Sequence, residues 1–242
     1  MRALFDTATR GAVSYDAGRG RDTADATFLV TKSTADFKES ASWERSRRRW
    51  RSAKPDADLT WGRELDGAAF ISKVEEFGGF GPYRSILEIG PGYGRLLHEC
   101  LSRGVPFRDY LGVDISPVNV SFLRERFDDA RVEFILADVD KLATSRCFDL
   151  VVSSLVFKHL YPSFERALTR CSAHLNVGGL VCFDLLEGEN RFFEDDGVTY
   201  IREYDRVEIR DILGRVGLCL VEFAYVEHAP DHRRLFTIAR RD

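Results

Sequence analysis

Ile86-Leu87-Glu88-Ile89-Gly90-Pro91-Gly92-Tyr93-Gly94 decides how this chain folds. An apolar run carries one acid near its end, glycines follow at alternate positions, and Leu96 and Leu97 open the next apolar stretch. This is the pattern of a strand, a tight turn and a helix N-terminus. Glycine admits positive φ and leaves the backbone bare where a ligand approaches. The unpaired N–H groups of a helix start suit a polar ligand. The dinucleotide fingerprint G-x-G-x-x-G is the obvious competitor. Arg95 stands where its third glycine belongs, and Glu88 disfavours a pyrophosphate. The acid favours a ligand with a positive charge or several N–H and O–H donors.

Further apolar runs follow the loop, several of them ending in acids. Tyr110-Leu111-Gly112-Val113-Asp114 is a second strand, and Asp114 follows Gly92 by about the 20 residues expected of a ribose-binding carboxylate. Val132-Glu133-Phe134-Ile135-Leu136-Ala137-Asp138 reads as a third and Phe148-Asp149-Leu150-Val151-Val152-Ser153-Ser154 as a fourth. Leu180-Val181-Cys182-Phe183-Asp184 is a fifth, entered through Gly178-Gly179. Helices are expected over 95–103, 117–126, 164–175 and 207–216, with closing strands over 218–225 and 235–239. Such alternation predicts an α/β fold, doubly wound around a mostly parallel sheet. Ligands bind such sheets outside the carboxyl ends of the strands, at the switch in strand order. Glu88, Asp114, Asp138 and Ser153 all fall at such ends.

In these motifs the chain resembles the class I S-adenosylmethionine-dependent methyltransferases. The glycine loop with its leading Glu88, then Asp114, Asp138 and the stretch from Ser153 to His159, follow the family's order from about Ser85 to the C-terminus. The resemblance implies a seven-stranded Rossmann-like sheet with the last strand antiparallel, and S-adenosyl-L-methionine as cofactor. Gly90, Gly92 and Gly94 would lie beside its methionine part and ribose. Glu88 would accept from its amino group, or pair with Arg84 or Arg95. Asp114 would accept the ribose hydroxyls, a carboxylate being an acceptor only, or cap the next helix. Ile115 would pack on the adenine. Asp138, with Val139, would bind the adenine amine, or simply hold a turn. Ser153 and Ser154 complete the cofactor set. His159 is the candidate base for a hydroxyl acceptor, or a structural residue of its loop; Lys158 and Tyr161 are weaker candidates.

The 242 residues suffice for one such domain. The division expected is 1–82 as an N-terminal segment and helical cap and 83–242 as the cofactor-binding domain. Residues 1–34 read as loosely ordered, and helices are expected over 35–53 and 65–77. Trp43, Arg47 and Trp50 share one face of the first by their spacing. That helix is a candidate lid, and Trp61-Gly62-Arg63 a candidate contact to the cofactor's carboxylate. No apolar run approaches the ~20 residues of a membrane span. The five cysteines are scattered without a C-x-x-C, as expected of reduced thiols in a cytoplasmic protein. Net charge is −4, against a nucleic-acid partner.

The expected activity is methyl transfer to a small molecule, at a hydroxyl of a sugar, glycoside or natural-product intermediate. The alternatives are an RNA or protein methyltransferase using the Trp/Arg helix, and a non-catalytic cofactor-binding module. No bound metal is expected, although Asp184 and Glu187 are clustered acids; His228 and His232 read as a surface hairpin. A homodimer is left open.

Overall fold

A computed structural model describes residues 29–30, 39–54, 67–227 and 233–242. Its centre is a seven-stranded sheet. Strands β2 (Ser85–Ile89), β3 (Asp109–Asp114), β4 (Val132–Leu136), β5 (Phe148–Ser153) and β6 (Leu175–Glu187) run parallel in the order β6-β5-β2-β3-β4. β10 (Arg233–Arg240) joins β6 antiparallel and β9 (Cys219–Glu227) closes that edge. The chain leaves β2 to one side for β3 and β4, then returns to its other side for β5. The switch point therefore lies at the carboxyl end of β2, where the glycine loop begins.

Both faces of the sheet are covered, so its strands read as nearly continuous apolar runs. Leu87, Ile89, Val151 and Phe183 feed one core cluster, and Ile86, Leu150, Val152 and Cys182 the other. Residues i and i+2 share a face, so Glu88 points to the side of Ile86, under helix α3 (Arg95–Ser102). Helix α2 (Ala68–Glu76) buries Phe70, Ile71 and Val74 on the same side. Helix α4 (Pro117–Arg126) starts where Ser116 accepts the Asn119 N–H, with proline in the first turn. Helix α5 (Glu165–Ala173) precedes β6, and helix α6 (Arg206–Arg215) is capped by Asp205, which accepts from the Val207 and Glu208 N–H groups.

Two features depart from the sequence expectation. β4 ends at Leu136, and Asp138 instead caps a short 3-10 turn, Val139–Lys141. Between β6 and α6 the chain forms an annex of β7 (Arg191–Phe193) and β8 (Tyr200–Tyr204), antiparallel to each other. β8 pairs with the end of β6, and β1 (Leu29–Val30) pairs with β7. Helix α1 (Glu39–Arg51) lies against the strand ends beside this annex. No helix among the described residues is long and apolar enough to cross a membrane.

Candidate functional site

A cleft of about 340 Å³ opens at the carboxyl ends of β2 to β5. Its floor is the glycine loop. Gly90, Gly92 and Gly94 have φ of 69°, 60° and 85°, in the left-handed region that side chains disfavour. A Cβ on Gly90 would sit 2.5 Å from Val156, so the loop is also closed by packing.

Two buried acids flank the loop. The Tyr110 hydroxyl donates to Glu88 Oε2 at 2.5 Å, and Glu88 is 3% exposed. Burial pushes its carboxyl up to about 7, against the opposing pull of Tyr110 and Arg95. Asp114 Oδ2 accepts the Gly92 N–H at 3.0 Å, while Oδ1 accepts the Ser116 N–H at 2.8 Å and, weakly, Asn119 Nδ2 at 3.4 Å. Burial pushes Asp114 up to about 6 despite those backbone bonds. A carboxylate offers about four acceptor positions. Asp114 therefore ties the glycine loop to the start of α4 and keeps acceptor capacity on Oδ2.

The third acid is engaged by the N-terminal helix. Arg47 Nε donates to Asp138 Oδ2 at 3.1 Å, and Arg47 Nη2 to Asp140 Oδ2 at 2.5 Å. Asp140 Oδ2 also accepts Trp43 Nε1 at 3.1 Å. Asp138 Oδ1 takes the Asp140 N–H. The far end of the helix is held where Ser116 Oγ donates to the Ala53 carbonyl at 2.8 Å. α1 thus spans the ends of β3 and β4, and it contributes Arg49 and Trp50 to the cleft as well.

Beyond the loop the wall is built after β5. Leu155 has φ of 65°, unusual for a branched residue. Buried Asp184 holds that turn, accepting the Leu155 N–H at 2.7 Å and Ser154 Oγ at 2.6 Å. Arg95 Nη2 donates to Ser154 Oγ at 2.7 Å. Next come Lys158, 4% exposed, and His159. His159 Nδ1 lies 2.8 Å from the Tyr200 carbonyl. A carbonyl only accepts, so the proton sits on Nδ1 and Nε2 keeps its lone pair. Burial, and then the charge of Lys158, push this imidazole well below its ordinary range, so it is neutral near pH 7. The Trp50 ring stands 4.4 Å from it.

Glu88, Gly90, Gly92, Asp114, Ile115, Asp138, Val139, Ser154 and His159 all line one cleft. Gly94 sits behind it as the left-handed residue before α3, and Ser153 donates to the Ile89 carbonyl, tying β5 to β2. Asp184 and Glu187 do not meet: Glu187 accepts from the Tyr225 hydroxyl and from Arg206. Among the described residues no three His, Cys, Asp or Glu side chains cluster as metal ligands. Trp61, Arg63, His228 and His232 lie outside the described residues. Sequence reading missed Tyr110 as the partner of Glu88, and it missed the annex residues Glu194, Thr199 and Ile201. The signal for the annex was present: Asp196-Gly197 between Arg191-Phe192-Phe193 and Tyr200-Ile201 is a hairpin turn between strand-forming runs.

Residues 86–179 match the family model described as "Methyltransferase domain". Over that stretch the chain is similar to methyltransferase domains. It is 28% identical over 116 residues to a malonyl-[acyl-carrier protein] O-methyltransferase of Anoxybacillus flavithermus, covering 47% of this chain and 42% of that one. Over 97 residues it is 32% identical to a fatty-acid O-methyltransferase of Mycolicibacterium smegmatis, covering 40% of this chain and 35% of the other. The chain thus spans less than half the length of these curated relatives. A solved Burkholderia thailandensis 1,6-didemethyltoxoflavin-N1-methyltransferase, with bound 1,6-didemethyltoxoflavin and S-adenosylhomocysteine, superposes with a TM-score of 0.72 at 19% identity, over 90% of this chain and 96% of that one. That likeness gives the fold.

Proposed function

We propose that this chain binds S-adenosyl-L-methionine in the β2–β4 half of the cleft and directs its methyl group to an oxygen of a small molecule in the other half. The observation that carries the reading is the pair of buried acids, Glu88 and Asp114, on adjacent strand ends astride a left-handed glycine loop. Burying two carboxylates is costly, and a ligand rich in donors and positive charge relieves that cost. Glu88 faces the amino group, Asp114 takes a ribose hydroxyl on Oδ2, and Ile115 and Val139 supply apolar surface for the adenine. Asp138 reaches the adenine amine only in competition with Arg47, so α1 settles over the adenosine as part of the same site.

When bound, this cofactor supplies an electrophilic methyl on a sulfonium. The chain's own residues then have to position an acceptor, which is most of the work in such a displacement. Were that oxygen a hydroxyl of a sugar, glycoside or natural-product intermediate, it would also have to lose a proton, and His159 Nε2 would be the group for that role. The relatives' names support an oxygen acceptor. An RNA or protein substrate is disfavoured by α1: Trp43 and Arg47 bond to Asp138 and Asp140, and Trp50 packs on His159. They are not a face offered to a macromolecule. The test is transfer of labelled methyl from the cofactor into pools of small molecules, RNA and protein. Label in the small-molecule pool is expected. Cofactor binding without label in any pool would leave a binding module instead.

A further inference from the structure

The half of the cleft beyond the glycine loop is walled by basic side chains. Arg49 of α1 and Lys158 of the turn after β5 both line it, with Trp50 and Ile201 as apolar neighbours. Arg49 Nε donates to Thr199 Oγ1 at 3.3 Å, and its guanidinium stands 5.2 Å from the Trp50 ring. Of the described acids lining the cleft, Glu88, Asp114 and Asp138 belong to the cofactor half, leaving Glu194 on this side. Burial holds Glu194 above the ordinary carboxylate range, and burial, then the charge of Arg234, push Lys158 well below its own, so an anion arriving beside Lys158 restores its charge. Asp184 lies beneath the wall with its oxygens bonded to Ser154 and Leu155, and Asp196 is 3.9 Å from Arg49 at the rim.

A second observation bears on the chemistry. His159 is the imidazole of this wall, and burial beside Lys158 depresses its basicity. Efficient proton removal near neutral pH wants a base whose pKa is near the working pH. An acceptor that arrives without its proton has no such need.

Resting on the methyltransferase reading above, we propose that the acceptor is a carboxylate held by Lys158 and Arg49, and that the product is a methyl ester. One carboxylate oxygen forms the bond to the methyl carbon. The carbon–sulfur bond breaks, its electron pair stays on sulfur, and no proton moves. An anion and a sulfonium cation become a neutral ester and a neutral thioether. Because the carboxylate loses charge along this path, its pairing with Lys158 is stronger in the bound substrate than in the transition state. Lys158 therefore acts in binding and orientation more than in kcat.

The experiment uses the full chain with methyl-labelled cofactor and hexanoate, decanoate and benzoate beside hexanol, decanol and benzyl alcohol. Products are then treated with mild alkali, which frees an ester's methyl as volatile methanol and leaves an ether intact. Volatile label from the acids and none from the alcohols is expected. Lys158→Gln should raise KM for the best acid roughly 10–100-fold, the worth of one charged hydrogen bond, with kcat within about threefold. Arg49→Gln, on a partly exposed side chain, should shift KM in the same direction. Titration of that acid into protein loaded with S-adenosylhomocysteine should show the same loss of affinity without turnover. Alkali-stable label on the alcohols, or acid methylation with KM unchanged in both variants, would overturn the carboxylate assignment and leave methyl transfer standing. No label in either series despite cofactor binding would count against methyl transfer itself.

Discussion

Glu88→Gln should flatten the dependence of stability on pH and make the ligand-free protein more stable in mild base. Burial raises the Glu88 carboxyl from 4.5 to about 7. The native state then holds a proton that the unfolded chain releases. The stability linked to this group is full below about 4.5 and is lost as pH rises through about 7. At ~1.36 kcal/mol per pH unit that loss is roughly 3 kcal/mol, or about 6–12 °C in Tm for a chain of this size. Glutamine keeps an acceptor for the Tyr110 hydroxyl and carries no charge to desolvate. Asp114, raised to about 6, adds a slope of the same sign, and His159, depressed, one of the opposite sign. Both persist in the variant, so the difference between the two proteins isolates Glu88. Thermal melts at half-unit steps from pH 5 to 8.5 would measure it. The curves should converge near pH 5 and separate by several degrees at pH 8, with the variant higher. Parallel curves would refute the buried, uncompensated state of Glu88. With cofactor present the order should reverse, because the ionised carboxylate is the form that a cationic ligand selects.

Gly94→Ala places a side chain at φ of 85°, against the Phe127 ring and 2.9 Å from Leu123. It should cost about 2–4 kcal/mol in a denaturant melt, and an unchanged midpoint would contradict the loop geometry. Among the described residues, Arg47→Met leaves buried Asp140 with only the Trp43 N–H and Asp138 Oδ2 with only Arg51, 3.9 Å away, and should cost about 3 kcal/mol. Adding Asp140→Asn should recover part of that loss, and a double-mutant coupling indistinguishable from zero would contradict the docking of α1. His159→Ala should lower kcat less than about tenfold on a carboxylate acceptor; a loss of ~10²–10⁴-fold would mark it as the base for a hydroxyl.

The sheet was legible in the sequence because its central strands, β2, β3, β5 and most of β6, are buried on both faces. Each is an apolar run; those through Ile89 and Asp114 end where the observed strands end, and the fourth, read to Ser154, runs one residue past the observed end at Ser153. The glycine loop was legible because φ near 60–85° restricts the residue type. What the sequence could not display were the partners of its polar residues. Glu88 has Arg84 and Arg95 close in the chain, yet its hydrogen bond comes from Tyr110, brought beside it by pairing of β2 with β3. Asp138 read as a ligand acceptor, and its Oδ2 is met by Arg47 from 91 residues away. The annex is less legible because its strands are short, Arg191–Phe193 and Tyr200–Tyr204, and charged residues interrupt their apolar pattern. It supplies Thr199 and Ile201 to the cleft and Tyr200 to His159.

The most direct test of the account is calorimetric titration of S-adenosylhomocysteine into the wild-type chain and into Asp114→Ala. The wild type should bind one equivalent. The variant should remain folded and bind at least tenfold more weakly, since it loses a charged acceptor worth ~1.5–3 kcal/mol and the clasp on the Gly92 N–H. Absence of binding to the wild type, or equal affinity in the two proteins, would contradict the placement of the cofactor at the carboxyl ends of β2 and β3.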